Sequence, residues 1–337
     1  MTDDACFLTF RANTFEPTLS VGCLRAAHAP YPRATLTLDS LPTEPWPCGA
    51  GGPDLNTSGT TKQRGVLSWM SWSAKDINTG SAHSARMYDY FLGGKDNYPP
   101  DQEAAEKVLA VLPHARTIAR NNRYFMRRSA RMLAQEAGIR QFLDIGTGIP
   151  TSPNLHEVIQ EIAPEARIVY TDNDPIVLTH ARALLTSAPQ GMTAYAEADL
   201  REPRSILTAP ELLETLDLTK PVALMMISIL HFVPPEYDHY AVLGELVDAL
   251  PSGSYLALTY GTSDFAPEEM KRAADVYAAS RVPVRQRPKE EIEQFFQGLE
   301  LVEPGLVPVH RWRPDDPALG KLSDADVSMF GGVARKP

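Results

Sequence analysis

The segment Ile139-Arg-Gln-Phe-Leu-Asp-Ile-Gly-Thr-Gly-Ile-Pro150 constrains this chain more than any other. The run from Phe142 to Ile145 is short and apolar, carries an acid near its end, and meets two glycines one residue apart. That order reads as a buried strand breaking into a tight turn. Gly146 and Gly148 can take positive φ and let a ligand approach the backbone. A helix starting near Ser152 or Asn154 would aim free N–H groups at the same space. A ligand is therefore expected at the carboxyl end of this strand.

After the turn, strands are expected near 141–145, 167–171, 192–196, 221–227 and 254–259, with helices near 154–162, 175–186, 236–250 and 267–279. Strand and helix in alternation imply a parallel, doubly wound sheet. Pro175 suits a first helical turn and Pro221 the first position of a strand. Residues 288–298 read as a glycine-terminated helix, and 299–309 and 328–334 as closing strands on an antiparallel edge, which makes seven strands.

Ahead of this core, Ser84 to Tyr98 begins as an amphipathic helix and stops at Gly93-Gly94. On spacing alone it packs against the core. Its many polar groups, Arg86 to Asn97, raise the alternative of a lid. Asp101 is expected to cap a helix through Leu112, and a further helix runs to Ala137 and ends at Gly138. Arg123, Arg127, Arg128 and Arg131 on that helix read as a solvated face.

Residues 1–69 contain seven prolines and six glycines and show no helical or strand period, so they are expected to be mostly disordered. Asp3 and Asp4 stand where a secretory signal needs basic residues, which points to the cytoplasm. Translation starting near Met70 would make this segment a misassigned extension. The expected divisions are thus 1–69, a helical lid segment over 70–138, and a binding core over 139–337. No run of about 18 apolar residues is present, so no membrane span is expected. The formal net charge of −10 disfavours nucleic acid as a partner. Cys6, Cys23 and Cys48 lack zinc-ligand spacing, and no metal is expected. The oligomeric state is left open.

Three acids at consecutive strand ends define the ligand. Asp144 closes the first strand, Asp172 the second, and Asp199 follows the third. In an open α/β sheet all three would border the crevice at the carboxyl edge. A carboxylate after the second strand can accept from two ribose hydroxyls, and one after the third from an adenine amine. One such acid alone would more often be a cap, but three in register beside a two-glycine turn describe an adenosine site. A dinucleotide fingerprint wants a third glycine where this chain has Thr151. The acid two residues before the turn instead suits a cationic amino group, as in S-adenosylmethionine.

The Asp144-x-Gly-x-Gly run with Asp172 and Asp199 resembles the first three motifs of class I S-adenosylmethionine-dependent methyltransferases. More narrowly, Ala85-Arg-Met-Tyr-Asp-Tyr-Phe-Leu-Gly-Gly-Lys-Asp-Asn97 together with Phe142 to Asn154 resembles an actinomycete methyltransferase family first catalogued as a domain of unknown function. The likeness spans about residues 76–335. It implies a Rossmann-like sheet with helices on both faces and an N-terminal helical extension. It also implies that Gly146, Thr147, Gly148 and Asp144 face the amino-acid end of the cofactor. Asp172 would then hold the ribose, Asp199 and Leu200 the adenine, and Asn173 either. The stretch carrying Arg86, Tyr90, Gly94 and Asn97 would be a lid over the cofactor.

Methyl transfer from a sulfonium asks mainly for alignment in a dry pocket, with a base only where the acceptor must lose a proton. Candidates follow the fourth and fifth strands: His231 as base, Tyr260 as wall or proton acceptor, and Ser228 as a cofactor contact. For His231 the plainer reading is packing beside Phe232 with a backbone hydrogen bond. The expected acceptor is a small molecule. Two other classes stay open, a non-catalytic nucleoside-binding protein and a nicotinamide oxidoreductase.

Overall fold

The computed structural model describes residues 78–184 and 186–337, together with the backbone of Phe7–Thr9 and Ser20–Gly22, which pair as an antiparallel ribbon. The remainder of the expectation for 1–69 lies outside the described residues.

Five parallel strands carry the core: β1 (Gln141–Ile145), β2 (Arg167–Asp172), β3 (Met192–Glu197), β4 (Ala223–Ile227) and β5 (Tyr255–Gly261). Two-residue strands β6 (Glu300–Leu301) and β7 (Val307–Pro308) and the longer β8 (Met329–Arg335) close the sheet. Its order is β3-β2-β1-β4-β5-β8-β6, with β7 paired to β8. Six strands lie where the sequence places them, and the single strand expected over 299–309 is instead two short ones, β6 and β7, each paired antiparallel to β8. β8 runs antiparallel to β5, with Gly331 opposite Thr259. Strand order reverses between β1 and β4, whose registers align Leu143 with Leu224, and that reversal opens a crevice at the carboxyl edge.

The central strands are continuous apolar runs because both faces are covered. Leu143, Ile145, Leu224, Met226, Leu256 and Leu258 pack on one side, and Phe142, Ala223, Met225 and Ala257 on the other. Met225 and Met226 are both fully buried, so they serve the core. The first face is covered by helices that include α6 (Pro203–Leu207), α7 (Pro210–Thr215) and α8 (His239–Asp248). The second is covered by α3 (Ala115–Gln135) and α4 (Leu155–Gln160). α5 (Pro175–Leu184) starts at its proline as expected, as does α9 (Pro267–Ala279).

Helices α1 (Ser84–Leu92) and α2 (Pro99–Val111) precede α3 and form an apolar cluster with it and α9. Asp101 lies in the first turn of α2, where Tyr98 is the N-cap. Its carboxylate accepts from the Tyr98 and His83 N–H groups, each at 2.9 Å, and so ties the start of α1 to α2. The expected helix over 288–298 is shorter, α10 (Lys289–Glu293), and tightens into a 3₁₀ turn through Gln294–Phe296 that buries Phe295 and Phe296.

The arginines of α3 do not form one solvated face. Arg128 is buried and donates to the Trp312 and Val309 carbonyls at 2.8 and 2.6 Å. Arg123 reaches the Thr151 and Pro153 carbonyls in the loop after the glycine turn. Only a three-dimensional fold could bring these carbonyls, distant in sequence, to the helix.

Among the described residues no helix is long and apolar enough to cross a membrane.

Candidate active site

A cavity of about 110 Å³ opens at the carboxyl edge where β1 and β4 part. Its floor is the β1–α4 turn. Gly146 and Gly148 have φ of 71° and 68°, the left-handed conformation that glycine adopts without strain. The Gly146 and Thr147 N–H groups bond the Thr171 carbonyl at 2.8 and 3.1 Å, which folds the turn back over β2. A Cβ on Gly146 would lie 2.3 Å from Ile229 Cγ1, whereas one on Gly148 would meet nothing within 4 Å. The turn is therefore packed on one side and open to the cavity on the other. Replacing Gly146 by Ala should cost about 1–3 kcal/mol of stability from backbone strain alone. It should also weaken cofactor binding at least tenfold, as read by paired denaturation and calorimetric titration. Wild-type values in both would show that the turn tolerates a side chain.

Asp144 and Asp172 both line this cavity. Burial, with a contribution from Asp172, pushes the Asp144 carboxyl up to about 7, against the pull of the Arg123 guanidinium. Among the described residues no cationic group bonds it, so it is available to a positively charged ligand group. Asp172 is also raised, first by burial, while hydrogen bonds from Asp174 and Gly148 and the nearby His83 act in the opposite direction. Its Oδ2 accepts from Gly148 N and its Oδ1 from Asp174 N, both at 2.9 Å. The same carboxylate thus fixes the glycine turn and faces the cavity.

The opposite wall comes from helices ahead of the core. His83, Ser84, Ala85 and Tyr88 contribute from the start of α1, and Asn122 and Arg123 from α3. A hydrogen-bonded relay joins these helices to the sheet. Asn122 Nδ2 donates to Tyr88 Oη at 2.8 Å, Thr259 Oγ1 donates to Asn122 Oδ1 at 2.8 Å, and Ser228 N donates to Thr259 Oγ1 at 2.8 Å. Ser228 follows β4 with a positive φ of 58°, a conformation uncommon for a residue with a side chain. The relay therefore holds an unusual backbone at the cavity's edge.

Comparison with known proteins gives the family of the chain. The S-adenosyl methyltransferase family matches residues 70–337, most of the chain. The chain belongs to the S-adenosyl methyltransferase family. A DUF574 family protein from Streptomyces avermitilis MA-4680 is 58% identical, with a TM-score of 0.75 over 77% of this chain and 99% of that one. A protein from Thermobifida fusca YX is 41% identical, with a TM-score of 0.71 over 77% of this chain and 96% of that one. No curated protein matches. The cofactor of this methyltransferase is S-adenosylmethionine. The open glycine turn and the unpaired Asp144 carboxyl suit its amino-acid end.

The residues expected from sequence divide into three groups in this methyltransferase. Asp144, Gly146, Thr147, Gly148, Asp172, Asn173, Leu200 and Ser228 all line the first cavity. Asp199 lies between two lining residues, Ala198 and Leu200, and its carboxylate is already engaged. Arg201 Nε lies 2.9 and 3.0 Å from its two oxygens, and Asn173 Nδ2 donates at 3.3 Å. Burial raises the Asp199 carboxyl, but the bonds from Arg201 outweigh it and hold the group below its ordinary value.

The structure does not bring Arg86, Tyr90, Gly94 or Asn97 to the cavity wall. Arg86 is buried and donates to the Asn78 and Ser81 carbonyls at 3.0 and 2.9 Å, with Asp101 at 3.3 Å. Tyr90 bonds Glu106 and carries the Arg116 guanidinium 5.1 Å above its ring. Gly94 and Asn97 build a hook instead. A Cβ on Gly94 would lie 1.9 Å from Asp89 Oδ1, and Asp89 Oδ2 accepts from Asp96 N at 3.0 Å and Asn97 Nδ2 at 2.7 Å. This conserves the sharp exit of α1 and explains the paired glycines without a ligand.

Tyr260 lines neither this cavity nor its neighbour. It is fully buried; its hydroxyl accepts from Arg287 Nε at 3.2 Å and lies 3.4 Å from His239 Nδ1. Burial pushes it up to about 12, which makes it a poor proton acceptor at neutral pH. His231 is buried beside Phe232, with ring centroids 4.4 Å apart, as the packing reading expects. Its Nε2, however, faces Ser228 Oγ at 3.5 Å rather than a backbone group. Sequence reasoning missed Tyr88, Asn122 and Arg123. The one available signal was Asn122, an amide placed on the same helical face as Ala119 and Met126.

Proposed function

We propose that this chain transfers the methyl group of S-adenosylmethionine to a small-molecule acceptor held in a second cavity beside the cofactor site. The observation that carries this reading is a shared wall. Tyr88, Ser228 and Phe232 line both the first cavity and a neighbouring one of about 90 Å³. An acceptor there would lie next to the cofactor and away from water.

In this reading the β1–α4 turn, with Gly146, Thr147 and Gly148, receives the amino-acid end of the cofactor, and Asp144 neutralises its ammonium. Asp172 accepts from the ribose hydroxyls, while Leu200 flanks the adenine, with Asn173 and the Arg201-bound Asp199 at its edge. Residues 70–138 act as the lid segment. When bound, S-adenosylmethionine supplies an electrophilic methyl group on a sulfonium that departs as a neutral thioether. The chain's own contribution is to align, to exclude water and to neutralise charge. A cytoplasmic setting fits a cofactor made in the cell interior.

Calorimetric titration of the purified protein with S-adenosylmethionine, S-adenosylhomocysteine and NAD tests the cofactor assignment. Micromolar binding of both sulfur nucleosides with none for NAD is expected. Tighter binding of NAD would sink this reading and revive an oxidoreductase.

A further inference from the structure

The second cavity carries information about the acceptor that the cofactor site does not. Its wall is nearly all apolar, built from side chains such as Phe91, Leu112, Ile118, Phe232, Met270 and Tyr277. No Asp, Glu, Lys or Arg lines it. A carboxylate or ammonium placed there would lose hydration without gaining a counter-charge, a cost of several kcal/mol per ion. The occupant is therefore neutral where it meets this wall. The aromatic side chains favour edge or offset contacts with a ring.

The polar groups on this wall are mostly spent within the protein. Tyr88 Oη donates to the Ala119 carbonyl at 3.0 Å, Gln286 Nε2 to the Met270 carbonyl at 2.6 Å, and Ser328 Oγ to the Ala325 carbonyl at 3.0 Å. Ser228, His231 and Tyr277 differ, the Tyr277 hydroxyl having no hydrogen bond among the described residues. Ser228 lines both cavities, and His231 lines the second. His231 is 5% exposed, and its Nδ1 is buried with no hydrogen-bond partner. With Nε2–H donating to Ser228 Oγ, Nδ1 keeps an acceptor lone pair that no described residue engages, on a side chain that lines an otherwise apolar chamber. An unpaired buried nitrogen is destabilising, and a ligand hydroxyl would satisfy it.

Resting on the methyltransferase reading above, we propose that the second cavity binds a neutral hydroxyarene and that His231 Nδ1 accepts its hydroxyl proton during methyl transfer. The balance is complete without another reactant. An oxygen lone pair of the hydroxyl forms the new C–O bond, the C–S bonding pair remains on sulfur, and the O–H proton passes to Nδ1. The positive charge moves from the sulfonium to the imidazolium, so the site's total charge is unchanged through the step. His231 starts neutral at physiological pH, since burial lowers it to about 3; a base that weak takes the proton only as the new C–O bond turns the hydroxyl into a strongly acidic oxonium, and the proton passes on to solvent as the product leaves.

The test uses the full chain saturated with S-adenosylhomocysteine and titrated with p-cresol, p-toluate and 4-methylbenzylamine. p-Cresol should bind at least tenfold more tightly than either charged analogue, and binding should shift the ¹⁵N resonance of His231 Nδ1 away from its free-acceptor position. Equal or tighter binding of a charged analogue, no p-cresol binding, or a static Nδ1 resonance would overturn the proposal. Ala273→Phe, which fills this cavity, should abolish p-cresol binding while S-adenosylhomocysteine affinity stays; Ala273→Leu serves if the larger side chain prevents folding, and persistence of p-cresol binding in the folded variant counts against the site. His231→Gln should lower turnover of p-cresol to 4-methylanisole about 100-fold with KM little changed. That deficit should shrink across a series of neutral phenols of rising acidity, whose hydroxyl proton leaves more readily. A deficit independent of phenol acidity would reduce His231 to packing. Loss of S-adenosylhomocysteine binding in the wild type is a separate result, which would remove the cofactor assignment itself.

Discussion

Asp172→Ala should lower affinity for S-adenosylmethionine by at least 100-fold, the largest single effect expected at this site. Two losses combine. A carboxylate facing the cavity at the end of β2 no longer accepts from the ribose, and charge-assisted hydrogen bonds of this kind contribute about 1.5–3 kcal/mol each. The Gly148 and Asp174 N–H groups also lose their acceptor, each now at 2.9 Å from the carboxylate, so the glycine turn loosens where it should meet the ligand. The second loss predicts a measurable stability cost of about 1–3 kcal/mol rather than an unchanged fold. Urea denaturation and calorimetry on one sample separate the two effects. Asp172→Asn retains one acceptor oxygen and should recover part of the stability but little of the affinity. Wild-type binding by a stably folded Asp172→Ala protein would remove Asp172 from the cofactor site.

The elements that position Asp172 were readable because each rested on a local rule. Apolar runs bounded by glycine or proline become buried strands, and their alternation with helices dictates parallel pairing. Strand ends then follow, and with them Asp144, Asp172 and Asp199. The turn was readable for the same reason, since φ of 71° and 68° is what Gly146 and Gly148 were needed for. What could not be read is whatever depends on convergence from distant segments. Arg123 resembles any exposed arginine on an amphipathic helix until the fold brings the Thr151 and Pro153 carbonyls to it. The Tyr88–Asn122–Thr259–Ser228 relay likewise spans separations of 34, 137 and 31 residues. The segment from Arg86 to Asn97 shows the opposite error. Its density of polar residues suggested ligand contacts, whereas Asp89, Gly94 and Asn97 use theirs to fold a hook and Arg86 clamps α1 to α2. Polar residues that satisfy one another look the same in sequence as polar residues waiting for a ligand.

Asp144 offers a test in which affinity and stability move in opposite directions. Its carboxyl stands at about 7 in the free protein, well above the ordinary value near 4 expected in the unfolded chain. A folded-state value raised in this way stabilises the free protein fully below about pH 4. That contribution is lost as pH rises through about 7, where the carboxylate must ionise while buried. Ligand binding has the reverse sign, because an ammonium is attracted only to the ionised form. Affinity for S-adenosylmethionine should therefore fall as pH drops below about 7, approaching tenfold per unit, with a proton released on binding. Asp144→Asn should flatten this dependence and bind the cofactor more weakly at pH 8. The same substitution should raise the melting temperature of the free protein at pH 8 by removing the cost of the buried charge. The slope is judged by difference between wild type and variant. An unchanged slope in Asp144→Asn would show that the pH dependence does not come from Asp144. A lower melting temperature at pH 8 would mean that Arg123 already stabilises the Asp144 carboxylate in the free protein, leaving no unpaired charge for the cofactor to neutralise.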